Sequence, residues 1–533
     1  MRTPFKILVI ATIVQTLGFA HGSTIELSST PPEDASDPIP EAFVSYSIEF
    51  SSFPDFAGNN SSPNNFSNNL LNNLGNFTGT KPYIRVGGNT QDYALYNASL
   101  PFAINSTIVP SRATDYPTII FIGPSYFESY NMWDTKFSHG FNLGLGGNNS
   151  EGWQTLLDTV PLACKALGGG KLLWWEYGNE PDLFSTSAQG PVRPPGWNES
   201  TYVSQWLNGT RTIKQELQKS CPELTSNESY GYLAPSFAGV SNHLKPVTTW
   251  QDGLNANQDI KLISSHNYIG GATQPGVTLQ STLMNHTKTT SSVSAQAALA
   301  QNLSSYDIPF ILGETNSLYN EGAPGLSNAF GAALWGIDFN LYCASVGIRR
   351  VHMHQGTNFR YQFWQPVETN ITTKGTKAPY YGQVVVAAML GGSDTQIVGL
   401  DLEDEREAAY AAYVEGVLER VVVVNLREYN YTVNGTSGVV NPEPRGSQNY
   451  TFAVPDGYSG SVGVQRLWAN GSDAISGISW DGWSYNYELD EGRPVRLGNV
   501  TVGEVVDVEN GGFTVVVEDS TAVILNFPEG ELY

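Results

Sequence analysis

The chain has 533 residues, more than one compact hydrophobic core usually accommodates, so two domains are expected. Its formal charge of -23 excludes nucleic acids and anionic membrane surfaces as expected partners, because both would repel it. Only three cysteines occur, which excludes a disulfide-rich scaffold.

Residues 1–22 are predicted to be a secretory signal peptide. Arg2 and Lys6 precede an apolar stretch from Ile7 to Ala20, and small residues follow it. This stretch is too short for a membrane anchor, and no later segment approaches about 18 uninterrupted apolar residues. We therefore predict a secreted, extracellular protein. Loss of the signal would leave 25 basic and 50 acidic residues, a formal charge of -25.

Sequons for N-glycosylation are dense along the rest of the chain. About eighteen Asn-x-Ser/Thr sites occur, a density that fits a heavily glycosylated secreted product. Glycans would supply solubilising surface that the low charged content of 14% does not. Five of these sites begin at Asn76, Asn97, Asn198, Asn302 and Asn434.

Eight apolar segments between residues 43 and 375 are predicted to be strands, with helical patterns between many of them. This alternation indicates the α/β class and a (β/α)8 TIM barrel. A doubly wound open sheet is the alternative, but no GxGxxG motif opens the first unit. The predicted strands span 43–50, 82–88, 118–123, 171–180, 230–235, 260–268, 309–316 and 348–356.

The pattern changes in the last part of the chain. Residues 376–533 contain short strands at close spacing with Gly, Pro and Asn turns, which predicts a C-terminal β-sandwich. The N-terminal segment 23–42 contains STIELSST, which could add a strand to that sandwich.

The cysteines allow one disulfide. Cys164 and Cys221 fall in the two helices that flank the fourth predicted strand, each near the end that leads away from the site, so they could form one bridge. Cys343 would then be free and buried. The chain shows no spacing of histidines, cysteines and acids that is typical of a metal site, so we expect neither a metal nor another cofactor.

Two glutamates are predicted to face each other at the mouth of the barrel. In this fold the carboxyl ends of the strands form the active site, and Glu180 and Glu314 end the fourth and seventh strands. A lone glutamate at a strand end is usually solvated or salt-bridged. Two inside otherwise apolar runs match the pair that glycoside hydrolysis requires, one as acid and one as nucleophile or base.

Other polar residues at the strand ends have two interpretations each. Asn179 could cap the following helix or bond a sugar hydroxyl. Tyr268 could be a core aromatic or could bond the carboxylate of Glu314. Arg85 could be a purely structural buried cation, close enough to the carboxylates to hold Glu314 negative.

Three motifs resemble the retaining glycoside hydrolases of clan A, and more closely family 79. They are RVGGNTQD (85–92), WWEYGNEPD (174–182) and PFILGETNS (309–317). Family 79 comprises fungal-type β-glucuronidases and their heparanase relatives, and it pairs a (β/α)8 barrel with a C-terminal β-sandwich. The resemblance runs from about Phe43 to the C-terminus.

The resemblance implies a role for each matching residue. Glu180 would be the acid/base and Glu314 the nucleophile, with Tyr268 orienting the nucleophile and Asn179 bonding the sugar 2-hydroxyl. Substrate contacts would also come from Tyr319 with Asn320 to Gly322, which would receive a uronate carboxyl, and, by strand position only, from Glu49, Gln355 and Tyr361.

The resemblance predicts a retaining, exo-acting β-glucuronidase that removes terminal β-D-glucuronic acid, 4-O-methylated or not. Its substrates would be β-glucuronides, including arabinogalactan side chains. A retaining β-glycosidase acting on a neutral sugar fits the charge better, and a carbohydrate-binding protein with a decayed site is the non-enzymatic alternative. The natural aglycone, exo or endo action and the oligomeric state stay open.

Overall fold

The computed structural model describes residues 24–147, 149–392, 394–431, 444–456, 458 and 460–528. The predicted signal peptide and the sequon at Asn434 lie outside the described residues. Within the described part, no helix has both the length and the apolar character needed to cross a bilayer.

The first domain is a closed barrel of eight parallel strands, which confirms the predicted fold class. Each strand pairs with the next along the chain, and the eighth pairs with the first. Their near-continuous apolar runs are buried, as expected for strands covered by helices outside and by packed side chains inside. The barrel strands are Val44–Glu49, Ile84–Gly87, Phe137–Phe141, Leu172–Tyr177, Tyr232–Phe237, Ile260–Gly271, Phe310–Tyr319 and Val351–Gln355.

The third predicted strand, 118–123, was wrong. Ile119–Ile122 lies instead in a separate three-stranded sheet with Ala94–Tyr96 and Ile104–Thr107. Every second residue of Ile119–Ile122 is exposed, a pattern that fits a half-buried surface sheet. The true third strand, Phe137–Phe141, is fully buried but contains Ser, His and Gly, so it lacks the apolar run that marks the other barrel strands.

Helices cover the outside of the barrel, and asparagines begin four of them. The side chains of Asn64, Asn149, Asn198 and Asn285 each accept a backbone N–H from the residue three positions on, at 2.7–3.2 Å. The α-helices of the barrel domain are Phe53–Ala57, Asn65–Thr78, Ser150–Ala166, Glu199–Ser220, Pro246–Gln251, His286–Asn302, Phe330–Ser345 and Ala378–Leu390.

The predicted domain boundary at residue 375 falls too early. Ala378–Leu390 is the helix that follows barrel strand eight, and it packs against Phe330–Ser345, the helix that follows strand seven. The first strand of the second domain begins at Thr395. The barrel domain therefore extends to about residue 390, because an eighth helix is needed to cover the seam where the barrel closes.

The second domain contains two sheets with a shared apolar core. In the smaller sheet Ile25–Glu26 pairs in parallel with Ser447–Ala453, which pairs with Gly512–Glu518. Side chains from both sheets, among them Phe452, Phe513 and Val423, form one cluster. The larger sheet contains Thr395–Leu400, Glu407–Val414, Val417–Asn425, Ser461–Trp468, Ser479–Trp480, Trp483–Ser484, Val495–Arg496, Glu504–Asp507 and Thr521–Asn526.

The larger sheet also packs against the barrel helices. Along Glu407–Val414, Ala409 and Ala411 belong to the sandwich core, whereas Ala408, Tyr410 and Ala412 belong to the core of the barrel domain. The Tyr410 hydroxyl donates a hydrogen bond to the buried carboxylate of Asp338 at 2.7 Å. With both faces buried, the sheet supports the barrel, and this explains the continuous valine run in Val417–Asn425.

All three cysteines lie in the described part of the chain. Cys164 and Cys221 form a disulfide that joins the end of Ser150–Ala166 to the end of Glu199–Ser220. Cys343 is buried and unpaired.

Candidate active site

A cavity of about 620 Å³ opens at the carboxyl ends of the barrel strands. Glu180 and Glu314 both line it, from strands four and seven. Its walls mix amide, hydroxyl, carboxyl and aromatic groups, a composition suited to a polyhydroxylated ligand.

Glu314 is held by two donors, one on each carboxylate oxygen. Arg85 Nη1 lies 2.6 Å from Glu314 Oε2, and the hydroxyl of Tyr268 donates to Glu314 Oε1 at 2.8 Å. Tyr268 therefore makes the contact expected from its strand position. Both interactions favour the ionised carboxylate and fix its orientation, as a nucleophile requires.

Arg85 is fully buried and connects four barrel strands. Its remaining donors reach Glu176 at 2.9 Å through Nε and Nη2, Ser47 Oγ at 3.0 Å through Nη1, and Asn179 Oδ1 at 2.7 Å through Nη2. All five N–H groups of the guanidinium are thus used, which compensates for the removal of this cation from water.

Glu180 sits on a strained turn that ends the fourth strand. Its φ of +50° is in the left-handed region, which is unfavourable for a side chain of this size. Two hydrogen bonds hold the turn: Asn179 N–H donates to Asp92 Oδ2 at 2.8 Å, and Glu180 N–H donates to the Ser236 carbonyl at 2.9 Å. Pro181 then begins a short 3-10 helix, so the strand cannot continue past its acid.

The two glutamates have pKa values shifted in opposite directions. Burial, and to a smaller extent the charge of Glu314, raise the pKa of Glu180 to about 8. Burial would also raise the pKa of Glu314, but His354, His266 and Arg85 outweigh it and hold that pKa well below its usual range. Of these three groups Arg85 is always charged. Burial lowers the pKa of His266 to about 4, so it is neutral near pH 7.

The carboxyl groups are close enough to act on one bond. Oxygens of Glu180 and Glu314 lie within 4.8 Å of each other, and a nitrogen of His266 lies within the same distance of both. These groups could in principle share a cation. However, Arg85 and Tyr268 already satisfy both oxygens of Glu314, an arrangement that suits an organic substrate better than a metal ion.

The structure brings most of the predicted substrate-binding residues to the cavity, but not all. Gly322 uses its N–H to bond the Leu318 carbonyl at 3.1 Å, and Gln355 is buried with Oε1 accepting the Phe363 N–H. Neither residue lines the cavity. The residues that do line it are Glu49, Asn179, Tyr268, Tyr319, Asn320 and Tyr361.

Several supporting residues were missed by the sequence analysis. Glu176, four positions before Glu180, reads as one polar residue within an apolar strand, yet it makes a two-oxygen contact with Arg85. Asp92 lies inside the RVGGNTQD motif, which could have drawn attention to it. Asp115 and Arg360 form an ion pair next to the cavity-lining Glu321, but they are 245 residues apart in sequence, so no local pattern connects them.

The family model and the relatives found by comparison with known proteins agree with one another. Residues 409–524 match the model of the glycosyl hydrolase family 79 C-terminal beta domain. A beta-glucuronidase from Neurospora crassa is 59% identical over 529 residues, covering 92% of this chain and 95% of the relative. A beta-glucuronidase from Aspergillus niger is 59% identical over 514 residues, covering 95% and 94%.

Solved structures show the same fold at low sequence identity. A 4-O-α-L-rhamnosyl-β-D-glucuronidase from Fusarium oxysporum matches with a TM-score of 0.76 and 24% identity, over 95% of this chain and 100% of the other. A family 51 α-L-arabinofuranosidase from Bifidobacterium longum matches with a TM-score of 0.59 and 12% identity, over 95% and 99%.

The central position of Arg85 predicts a large loss of stability when it is removed. Arg85→Ala would leave Glu176 and Glu314 as buried carboxylates without a counter-charge, which costs roughly 3–5 kcal/mol of unfolding free energy. Guanidinium unfolding would measure this against Arg211→Ala, an exposed arginine expected to cost less than about 0.5 kcal/mol. Equal losses in the two variants would contradict the assigned role.

Proposed function

The chain belongs to glycoside hydrolase family 79, and from this premise we propose that it is a secreted, retaining and exo-acting β-glucuronidase. The close approach of Glu180 and Glu314, within 4.8 Å, carries the mechanistic part of the proposal. Retaining glycosidases hold their two carboxyl groups about 5–5.5 Å apart, whereas inverting enzymes need about 6.5–9.5 Å to admit a water. The beta-glucuronidase activity of two relatives at 59% identity supports the choice of sugar.

In the first step Glu314 attacks the anomeric carbon while Glu180 protonates the departing oxygen. Arg85 and Tyr268 keep Glu314 ionised and oriented before attack. The raised pKa of Glu180, about 8, keeps this group protonated at neutral and acidic pH. A glycosyl-enzyme ester forms, the aglycone leaves with the proton of Glu180, and the β configuration is inverted once.

In the second step the ionised Glu180 removes a proton from a water, which attacks the anomeric carbon of the ester. Glu314 leaves as a carboxylate, so the configuration is inverted again and the β-anomer is released. His266 Nδ1 lies 2.9 Å from Glu180 Oε1 and orients this carboxyl group in both steps. The reaction should fall off as the pH rises past the pKa of Glu180, since the first step needs its proton.

We propose that the end of strand seven and the loop after it, Tyr319 to Gly322, receive the uronate, and we call this segment the uronate loop. Tyr319 and Asn320 line the cavity beyond Glu314, and the Tyr319 side chain is 47% exposed, so its hydroxyl is accessible to a ligand. Neutral hydrogen-bond donors suit an enzyme whose overall charge repels its anionic substrate. We propose that 4-O-methylated glucuronic acid is accepted at the same position.

The opposite side of the cavity would hold the leaving group. Beyond Glu180 it is lined by uncharged residues, including Ser187, Gln189 and Asn242. A neutral glycan is therefore the expected aglycone, and we propose glucuronic acid-bearing arabinogalactan side chains as natural substrates. The absence of cationic side chains among these three residues is unfavourable for sulfated aglycones.

The sugar preference is tested by initial rates on matched p-nitrophenyl β-D-glucuronide, β-D-glucoside and β-D-xyloside. We expect the glucuronide to have the highest kcat/KM, and proton NMR of the first turnovers to show β-glucuronic acid before mutarotation. Preference for a neutral sugar would contradict the uronate assignment alone. Activity on none of the three, with a sugar bound but intact, would favour a carbohydrate-binding protein.

The nucleophile is tested by Glu314→Ala. This variant should lose roughly 10⁴-fold or more in kcat, because no glycosyl-enzyme can form. Added azide should restore turnover and yield the α-glucuronyl azide, since the small anion replaces the missing carboxylate. Glu223→Ala, at an exposed glutamate outside the cavity, serves as the control and should keep full activity. A β-configured azide product from Glu314→Ala would contradict the role.

Secretion is tested by expression in a eukaryotic host. We expect the protein in the medium, beginning after residue 20 or 22, with N-glycans on the exposed Asn97 and Asn302. Asn285 is the internal control: it also begins a sequon, but its side chain is buried and caps a helix through the Lys288 N–H. Peptide mass spectrometry should find Asn285 unmodified. Retention in the cell or unmodified Asn97 and Asn302 would contradict the proposal.

A further inference from the structure

A second pair of carboxyl groups, those of Glu321 and Asp115, lies near the cavity wall at the uronate loop. It is distinct from the Glu180–Glu314 pair. Glu321 lines the cavity, and both its carboxyl group and that of Asp115 lie within 3.7 Å of the Arg360 guanidinium. The side chain of Glu321 is only 12% exposed, and that of Asp115 is 30% exposed. When two poorly exposed carboxyl groups lie beside a single cation, repulsion between their charges favours a proton on one of them.

One arginine serves both acids and the loop. Arg360 Nη1 lies 2.5 Å from Asp115 Oδ1, whereas Arg360 Nη2 is 3.7 Å from Glu321 Oε2. Arg360 also donates to the carbonyls of Gly322 at 2.7 Å and Asn320 at 3.0 Å. The cation is therefore committed to Asp115 and to the backbone, and the proton of the acid pair belongs on Glu321.

The backbone at Glu321 is held in an unfavourable conformation. Asn320, Glu321 and Gly322 have φ values of +63°, +58° and +80°, and the Glu321 carbonyl accepts the Arg360 N–H at 2.7 Å. Gly322 adopts this region freely, but Asn320 and especially Glu321 cost free energy there that the surrounding contacts must offset. This turn keeps the Glu321 side chain both against Asp115 and at the cavity wall.

We propose that Glu321 is a specificity residue that donates its carboxylic acid proton in a hydrogen bond to the uronate carboxylate of the substrate. In the free protein the neutral acid lies beside the Arg360–Asp115 ion pair, and on binding it donates its proton in a hydrogen bond to the substrate carboxylate. Asp115 keeps two donors when this happens, Arg360 Nη1 and the Thr114 hydroxyl at 3.0 Å. No buried acceptor is left unsatisfied, and no proton leaves the site.

Local charge gives the reason for using a neutral acid. With Glu321 protonated, Arg360 and Asp115 cancel, and an anionic sugar meets no net charge. With Glu321 ionised, the same wall carries one net negative charge and repels the uronate. The inference rests on the proposed function, because only a uronic acid substrate supplies the carboxylate that Glu321 would bond.

The surroundings of Glu321 favour its neutral form. Burial and the charges of Asp115 and Glu49 raise the pKa of Glu321 to about 8, although Arg360 lowers it. The other titratable groups that face it are Tyr116 and Tyr361, whose pKa values burial holds far above neutrality. Uronate affinity should thus be full at acidic pH and fall as the pH rises through the pKa of Glu321.

The experiment is calorimetric titration of the full-length protein with D-glucuronate and with D-glucose at pH 5.5, 7 and 9. Glu180 titrates in the same pH range, so its effect must be removed by comparison. The comparison is with Glu321→Gln, whose side chain is neutral at every pH and can still donate a hydrogen bond. The measured quantity is the difference in affinity between wild type and this variant. Wild type should weaken for glucuronate by roughly 10-fold between pH 5.5 and 9, and Glu321→Gln by less than about 3-fold.

Two further variants separate the acid from the structure around it. Asp115→Asn removes a negative charge beside Glu321, so the loss of glucuronate affinity should begin at lower pH. Glu321→Ala should weaken glucuronate by roughly 10-fold at pH 5.5 and leave glucose within about 2-fold. Glu403→Gln, an exposed glutamate in the second domain, should match wild type throughout.

Equal pH profiles in wild type and Glu321→Gln, with unchanged glucuronate affinity in Glu321→Ala, would overturn the inference even if glucuronides are hydrolysed. Conversely, the predicted binding profile without glucuronide hydrolysis would uphold Glu321 and contradict only the proposed catalytic function. The binding measurements therefore distinguish failure of the Glu321 inference from failure of the proposed catalytic function, because binding of glucuronate or glucose does not depend on turnover.

Discussion

A buried guanidinium connects the parts of this site. Arg85, on strand two, leaves water completely, and its stability depends on Glu176, Glu314, Asn179 and Ser47 supplying five hydrogen-bond contacts from strands one, four and seven. Such an arrangement depends on the closed barrel, because strands four and seven reach the arginine across its interior. The geometry that satisfies the arginine also orients the Glu314 carboxylate, so stability and the proposed chemistry share one constraint.

The same residue type serves two opposite tasks because its neighbours differ. Glu314 accepts from a permanent cation and a phenol, whereas Glu180 faces the neutral His266 on a strained turn. Desolvation acts on both carboxyl groups and by itself would make both of them weak acids. His354 and Arg85 lower both pKa values, but only at Glu314, which also accepts a hydrogen bond from Arg85, is desolvation outweighed, and this difference divides the pair into a proton donor and an anion.

An acidic protein that binds an acidic sugar must rely on local interactions. The overall charge of -23 provides no attraction at long range. In the proposed uronate site, Tyr319 and Glu321 line the cavity and Arg360 is already paired with Asp115. Below the pKa of Glu321 this part of the cavity wall is close to neutral. The free-energy cost of binding an anionic sugar there therefore depends on pH, because Arg360 is already paired with Asp115.

The sequence by itself determined the fold class and the two central acids. Apolar runs that end at Glu180 and Glu314 marked strands four and seven, and the barrel topology places such ends at one opening. The sequence pattern did not reveal the third barrel strand. Phe137–Phe141 is buried although it contains Ser, His and Gly, so it lacks the apolar run that marks the other strands.

Tertiary structure alone decided which polar residues meet. The contacts of Arg85 with Glu314 and of Arg360 with Asp115 span more than 200 residues, so no local pattern records them. Sequence periodicity reports which face of a strand is buried, but not which distant group lies opposite. Hydrogen bonds and pKa values depend on those distances, and chain closure into a barrel sets them.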